Sequence, residues 1–338
     1  TSGVELYLEC SPFESEIFDA VVPNVTGLVR ARTCAILYDV IPAIFPDCYL
    51  ADVNSRETYA RKLSLLTGSD FLLSISDWSR LDLVRHFGVS PRVIGNIGGG
   101  VDAYFYDDGK GTKLPSAVSP SVEKLLGENC IFYLGGGDWR KNECALIDAY
   151  ALLPESLRSK HRLVFAHTTT PAHWKRFADH AEKRGVGDRL VHTGYIEDND
   201  LKLLYEKCAL FVFPSLYEGF GLPIAEAMVC GAPVLASGTS SMPEVCGQAA
   251  ILIENPADPR EIAQKIEHIL SDEILRQDLR QRSHARREHF RWSHVAARMN
   301  RHLDRWMGRC VGSDSSCSVH DTAGYPKHPM AIFTPLPP

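Results

Sequence analysis

Short apolar runs alternate with stretches of helical period along most of the chain. In the first third, Cys34-Ala35-Ile36-Leu37-Tyr38 and Phe71-Leu72-Leu73-Ser74-Ile75 predict strands, and Arg92-Val93-Ile94 predicts a third that ends in the loop Gly98-Gly99-Gly100-Val101-Asp102. Ser76 reads as the N-cap of a helix over Asp77 to Phe87, which Gly88 closes. Between Tyr104 and Glu123 the apolar period disappears, which reads as an interdomain linker. A clearer βα series follows. Strands are expected at Ile131–Leu134, Arg162–Ala166, Leu190–His192, Leu210–Phe213 and Pro233–Ala236. Helices are expected at Cys144–Leu153, His173–Arg184, from Asp198 or Asn199 to Lys207, at Pro223–Cys230 and at Arg260–Leu270. This alternation is the signature of an α/β fold in which crossover helices join parallel strands. Residues 274–309 read as helical and strongly basic, either as a patch for an anionic acceptor or membrane surface or as a solvated helix face interrupted by Asp278, Glu288 and Asp304. Beyond Gly308 the pattern dissolves into polar and Pro-rich sequence, and Met330-Ala331-Ile332-Phe333 is a lone strand signal.

Composition narrows the function more than the fold. The 338 residues suffice for two ordinary domains. A net charge of -6 argues against a general nucleic-acid binder. The ten cysteines include no C-x-x-C pair, and several lie in apolar segments such as Cys208-Ala-Leu-Phe-Val-Phe. They read as reduced thiols acting as small hydrophobes, and so point to a reducing, cytoplasmic compartment.

The chemistry concentrates after strand 210–213. A loop, Ser215-Leu216-Tyr217-Glu218-Gly219-Phe220-Gly221, leads into a helix near Leu222 with Pro223 expected at its first position. The N–H groups of such a first turn, at the carboxyl end of a sheet, form a ready anion site. Gly219 and Gly221 would let the backbone approach a ligand. Glu218 and Glu226, eight residues apart, could flank one site: Glu226 as acceptor for a ribose diol, Glu218 beside sugar hydroxyls or the reacting carbon. Glu226 could equally be an ordinary glutamate favoured by the helix dipole. A second element, Gly135-Gly136-Gly137-Asp138-Trp139-Arg140-Lys141-Asn142, also joins strand to helix. Arg140 and Lys141 could neutralise a diphosphate there. The loop is neither a P-loop nor a clear dinucleotide fingerprint, and a solvated loop with two surface cations is the plainer alternative.

Taken together and in this order, these elements resemble family 4 of the retaining GT-B glycosyltransferases. The E-x7-E segment Glu218 to Glu226 and its continuation to Val234 carry the resemblance, with Arg140-Lys141-Asn142, His192-Thr193-Gly194-Tyr195-Ile196 and Pro243-Glu244-Val245. It is strong over about 130–300 and weaker over 34–102, through Tyr38-Asp39-Val40-Ile41-Pro42 and Ser74-Ile75-Ser76-Asp77-Trp78-Ser79. The resemblance implies two Rossmann-like domains facing a cleft. Residues 1–106 would form a partial acceptor-side domain, 107–122 a linker and 123–290 the donor domain. Residues 291–309 would be a helix crossing back, and 310–338 a linker and the start of a second module. It also implies roles. Arg140 and Lys141 would grip the donor diphosphate without a metal or other cofactor, and Glu218 would stand by the donor sugar. Glu226 would bind the ribose, Tyr195 and Ile196 would flank the base, and backbone of Gly137, Gly219, Phe220, Gly221 and Leu222 would contact sugar and phosphate. Asp39 would face the cleft.

The chain departs from the family pattern at Gly136, where many members carry arginine, and at Tyr38-Asp39, where many carry histidine. Its first domain is also short for a GT-B protein, and the chain reads as a fragment of a tandem polysaccharide or O-antigen enzyme. The implied activity is metal-independent, retaining transfer of a hexose, with mannose the first expectation, from GDP-mannose or a UDP-hexose. The acceptor would be a glycan or lipid-linked glycan in surface polysaccharide synthesis, at the cytoplasmic face of the membrane. Two rivals stand beside it: a nucleotide-sugar-binding fragment without turnover, and a GT-B sugar-nucleotide epimerase.

Overall fold

The computed structural model describes residues 5–13, 31–106, 119, 122–123, 125, 129–167 and 169–309. The expected linker over 107–122 falls mostly outside them. The strand signal at 330–333, with the second module it suggested, falls wholly outside, as do Cys310 and Cys317.

Two parallel sheets organise the chain. The first has the order β1-β2-β3-β4, built from β1 (Leu6–Glu9), β2 (Arg32–Leu37), β3 (Phe71–Ser74) and β4 (Ile94–Asn96). Helices α1 (Val53–Thr67) and α2 (Asp77–Phe87) belong to this half. As the sequence predicts, the Ser76 hydroxyl caps α2 by accepting from Ser79 N–H at 2.9 Å, and Gly88 ends it in a left-handed conformation. The sequence differs from the structure at Arg92-Val93. Pro91 follows the capping Ser90 and starts a 3-10 turn over Pro91–Val93, so the strand begins only at Ile94.

The second sheet has six strands in the order β10-β9-β8-β5-β6-β7. They are β5 (Asn129–Leu134), β6 (His161–Ala166), β7 (Leu190–Gly194), β8 (Leu210–Phe213), β9 (Val234–Ser237) and β10 (Ala250–Ile253). The crossovers carry α3 (Glu143–Leu152), α4 (Pro171–Lys183), α5 (Asp198–Lys207), α6 (Leu222–Val229) and α7 (Met242–Cys246), and α8 (Pro259–Ser271) follows β10. Alternate strand residues serve opposite faces, because successive side chains leave a strand on opposite sides. Phe132, Phe211, Phe213, Val234 and Ala236 pack with α5 and α6, whereas Ile131, Tyr133, Leu210, Val212 and Leu235 pack with α3 and α8. Both faces are covered, which is why these strands read as unbroken apolar runs.

The basic tail of the sequence becomes α9 (Glu273–Arg286), a 3-10 turn over Arg287–Phe290, and α10 (Trp292–Trp306). Helix α10 lies on the first sheet: Val295 and Leu303 share a core with Cys34, Phe71, Leu73 and Ile97. Trp306 stacks on Phe71 with ring centroids 5.1 Å apart. Neither sequence reading of the arginines, charged patch or solvated face, describes three of them. Arg280 donates to the carbonyls of Cys208 (2.6 Å), Gly231 (3.0 Å) and Glu206 (3.3 Å), tying α9 to two loops. Arg286 donates to Glu244 O and Val245 O, and Arg298 to Ile97 O. Arg280→Ala is therefore expected to lower stability by about 3 kcal/mol, because three carbonyls lose charged donors at once. Urea unfolding reads the loss. A change under about 0.5 kcal/mol, ordinary for surface sites, would show that water replaces the arginine at no cost.

The eight described cysteines are free thiols, five of them buried. Among the described residues no helix is long and apolar enough to cross a membrane.

Candidate functional site

In the six-stranded sheet the strand order reverses between β5 and β8, which pair side by side and parallel although β6 and β7 separate them in the chain. Ligands in open α/β sheets bind beyond the carboxyl ends of strands at such a switch point. The Gly135–Asn142 loop leaves β5 and the Pro214–Gly221 loop leaves β8, so the two motifs found in the sequence meet there.

The meeting is tight. Lys141 Nζ lies 2.7 Å from Glu218 Oε1, and Arg140 Nη1 lies 3.8 Å from Glu218 Oε2. Arg140 Nη1 also donates to Tyr217 O at 2.8 Å. Two local devices present these cations. The Asp138 carboxylate accepts from Arg140 N–H at 2.9 Å and caps a 3-10 turn over Trp139–Lys141. Asn142, left-handed at φ 63, then donates to Pro214 O and Pro256 O and pins the turn to the second loop. Burial works against the Arg140 charge, but Glu218, Asp138 and Tyr49 outweigh it and hold the guanidinium above its ordinary pKa.

Helix α6 begins at Leu222, with Gly221 as N-cap at φ 96 and no side-chain acceptor on the first turn. Only glycine takes that φ without strain. Pro223 is the second helical residue rather than the expected first, because the left-handed cap at Gly221 starts the helix one residue earlier. Gly219 is required for closeness: a Cβ there would lie 2.8 Å from Asp39 Cβ. Asp39 is thereby placed beside the loop. Its Oδ1 accepts from Ile41 N–H, and burial raises its pKa, partly offset by that bond and by Arg140.

The remaining candidates are more dispersed. Gly137 N–H donates to Glu143 Oε1 at 3.1 Å on the β5 loop. Phe220 packs edge-on to Phe290, and Leu222 is 43% exposed. Tyr195 is 70% exposed, whereas its neighbour Ile196 packs against the core, so the two do not form one slot. Glu226 is held apart from Glu218. It accepts from Tyr205 Oη at 3.1 Å, and burial pushes its pKa up to about 7. The two carboxylates thus have different partners, cations for one and a phenol for the other.

The structure adds contacts that the sequence reading did not assign. Gly219 O accepts from Ser76 Oγ (2.6 Å) and Ser79 Oγ (3.0 Å) at the start of α2. The Glu244 carboxylate accepts from Asp77 N–H and from Asn96 Nδ2, each at 2.8 Å. Tyr217 Oη donates to Asp82 Oδ2 and accepts from Trp78 Nε1, both at 2.8 Å. Tyr49 reaches Arg140 and Asp138 from the other side. Each contact joins the first half of the chain to the second, through loops or, at Glu244, through α7. The motifs Ser74–Ser79 and Pro243–Val245 were visible, but their pairing was not, since nothing local in either segment names the other.

Two parallel α/β sheets with the loops of one clasped by the other, and a cation pair at the switch point, define the GT-B class of fold. Sucrose-phosphate synthase from Thermosynechococcus elongatus shares it, with a TM-score of 0.66, 22% identity, and coverage of 85% of this chain and 70% of that one. The family model for glycosyl transferases group 1 matches residues 118–286, half of the chain, and the chain belongs to that family. Among curated relatives, it is 34% identical to the serotype-specific mannosyltransferase WbdA of Escherichia coli over 274 residues, 78% of this chain and 32% of that protein. It is 32% identical to the O-antigen chain mannosyltransferase B of Escherichia coli over 235 residues, 67% of this chain and 58% of that protein. The chain thus spans about a third of the length of the WbdA protein and under two thirds of the other.

Proposed function

We propose that this chain carries the donor site of a metal-independent, retaining glycosyltransferase that moves mannose from GDP-mannose to a growing surface polysaccharide. The observation that carries the reading is the convergence of Arg140 and Lys141 on Glu218 at the switch point, beside the open first turn of α6. The diphosphate lies between the two cations and the backbone N–H groups of Gly221 and Leu222 at the helix start, since Pro223 has no N–H and Ile224 N–H donates to Gly221 O. Glu226 accepts the ribose hydroxyls, and Tyr195 covers the base. Gly137, Gly219, Phe220, Gly221 and Leu222 offer backbone to sugar and phosphate.

In the reaction the anomeric C–O bond to the diphosphate breaks and its electron pair leaves with the phosphate oxygen. Arg140 and Lys141 stabilise that charge, which is the largest single contribution such a site can make. The acceptor hydroxyl then bonds to the same face of the anomeric carbon and gives its proton to the departing phosphate. Glu218, with Asp39 nearby, balances the positive charge that develops on the sugar. Support for mannose and for an O-antigen-type acceptor comes from the two mannosyltransferase relatives. In this reading the acceptor is a glycan or lipid-linked glycan, and the work is done in the cytoplasm at the inner face of the membrane.

Calorimetric titration with GDP and UDP, followed by assay of transfer from GDP-mannose, tests the reading. Binding of GDP together with transfer is the expected result. Binding without transfer would favour a nucleotide-binding fragment, and binding of neither nucleotide would remove the donor site.

A further inference from the structure

Arg140 stands on a turn of the second half of the chain, yet one of its strongest contacts comes from the first. Tyr49 ends a short helix over Pro46–Tyr49. Its hydroxyl accepts from Arg140 Nε at 2.5 Å and donates toward the Asp138 carboxylate, with oxygens at 2.8 and 2.9 Å. Asp138 is the same carboxylate that caps the turn carrying both cations. One hydroxyl thus bridges the guanidinium and the cap of the loop that presents it.

The geometry points to Tyr49 as a positioning residue for Arg140, one that fixes the guanidinium for the donor diphosphate only when the two halves of the chain are closed. This rests on the donor-site reading above. An unrestrained arginine samples many rotamers, and a charged fork is effective on phosphate only when its plane is set. Three bonds set the plane here, a long one of 3.3 Å from Nη2 to Asp138 Oδ2 on the same turn and two shorter ones to other elements. Nε is held by Tyr49 and Nη1 by Tyr217 O, from opposite sides of the cleft. Removing the Tyr217 bond would require moving the backbone, but the Tyr49 bond ends in one phenol oxygen. Tyr49→Phe deletes that oxygen and keeps the ring, whose centroid lies 5.6 Å from the guanidinium carbon. The loss should therefore fall on the phosphate contacts and leave the base and ribose contacts alone.

The test compares GDP and UDP with guanosine and uridine, the nucleosides followed by ligand-observed NMR. Tyr49→Phe is expected to weaken diphosphate binding about 10-fold, the scale of one charge-assisted hydrogen bond, and to leave nucleoside binding unchanged. In an Arg140→Ala background the same change should add less than about 2-fold, because contacting groups are not additive. Asp138→Asn, which weakens the acceptor for the Tyr49 proton, should shift binding in the same direction. Equal weakening of diphosphate and nucleoside would mean a general structural role and would overturn the inference. So would wild-type diphosphate affinity in Tyr49→Phe, or a full further loss in the Arg140→Ala background; in both cases the donor site would stand. If the unaltered protein binds neither nucleotide, the donor reading fails and this inference with it.

Discussion

Lys141→Ala is expected to reduce sugar transfer at least 10³-fold, the largest effect of any single change in the site. Lys141 and Glu218 are 18% and 11% exposed and 2.7 Å apart, so each is the other's main compensation for lost hydration. Removing one partner of such a pair costs about 3–5 kcal/mol, because a carboxylate is left without its counter-charge. Here the carboxylate also has Asp39 as a neighbour, and Arg140 at 3.8 Å is too far to take over the hydrogen bond. Part of the damage will be to stability and part to the reaction. The double variant Lys141→Met with Glu218→Gln separates them. It removes both charges, so stability should return, while transfer should stay low because the leaving diphosphate still lacks a cation. Recovery of transfer in the double variant would show that the pair only holds the loop together.

The second large effect is at Glu226. Glu226→Gln is expected to weaken GDP about 30-fold at pH 8, the scale of two hydrogen bonds to a charged acceptor, and the loss should shrink as the pH falls. Burial is the main reason that its folded pKa stands near 7 rather than at the ordinary 4.5, and the bond from Tyr205 partly opposes it. The sign follows from the chemistry. Ribose hydroxyls are donors, so they bind the ionised carboxylate. Wild-type affinity should be greatest above about pH 7 and decline as the pH falls through 7, where Glu226 takes up a proton. The glutamine variant has no such group, so the two proteins should converge near pH 5.5. The diphosphate titrates in part of the same range, but equally for both proteins, and the difference between their curves isolates Glu226. Parallel curves over the whole range would place the ribose elsewhere.

Much of this site was readable from the chain alone, for a definite reason. Gly221, Arg140 and Lys141 sit in short connections between strongly periodic segments, with Pro223 just inside the helix that follows, and a strand-loop-helix unit puts its loop at one end of the sheet whatever the rest of the fold does. The adjacency of β5 and β8 then brings the two loops together. What the sequence hid depends on partners distant in the chain. Tyr49 looks like any aromatic of a short helix until Arg140 is beside it. Arg280 and Arg298 looked like surface charge, because carbonyl acceptors leave no trace in a residue pattern. The strand Leu6–Glu9 escaped because it is an edge strand, only half-buried along its length, and lacks the unbroken apolar run of the inner strands. The spacing of Glu218 and Glu226 also gave no sign of their separate partners: Glu218 on the loop meets Lys141, and Glu226 on α6 meets Tyr205.

The clasp at Gly219 has a consequence for how such chains can diverge. Its carbonyl is read by Ser76 and Ser79, and Glu244 is read by Asp77 and Asn96. Recombination that exchanged the first half for that of a relative would separate these partners at one stroke. Halves of this architecture should therefore be interchangeable only between parents that share the serine pair, the asparagine and the glutamate as a linked set. A chimera lacking the serines would keep both sheets and lose the alignment of its donor loop.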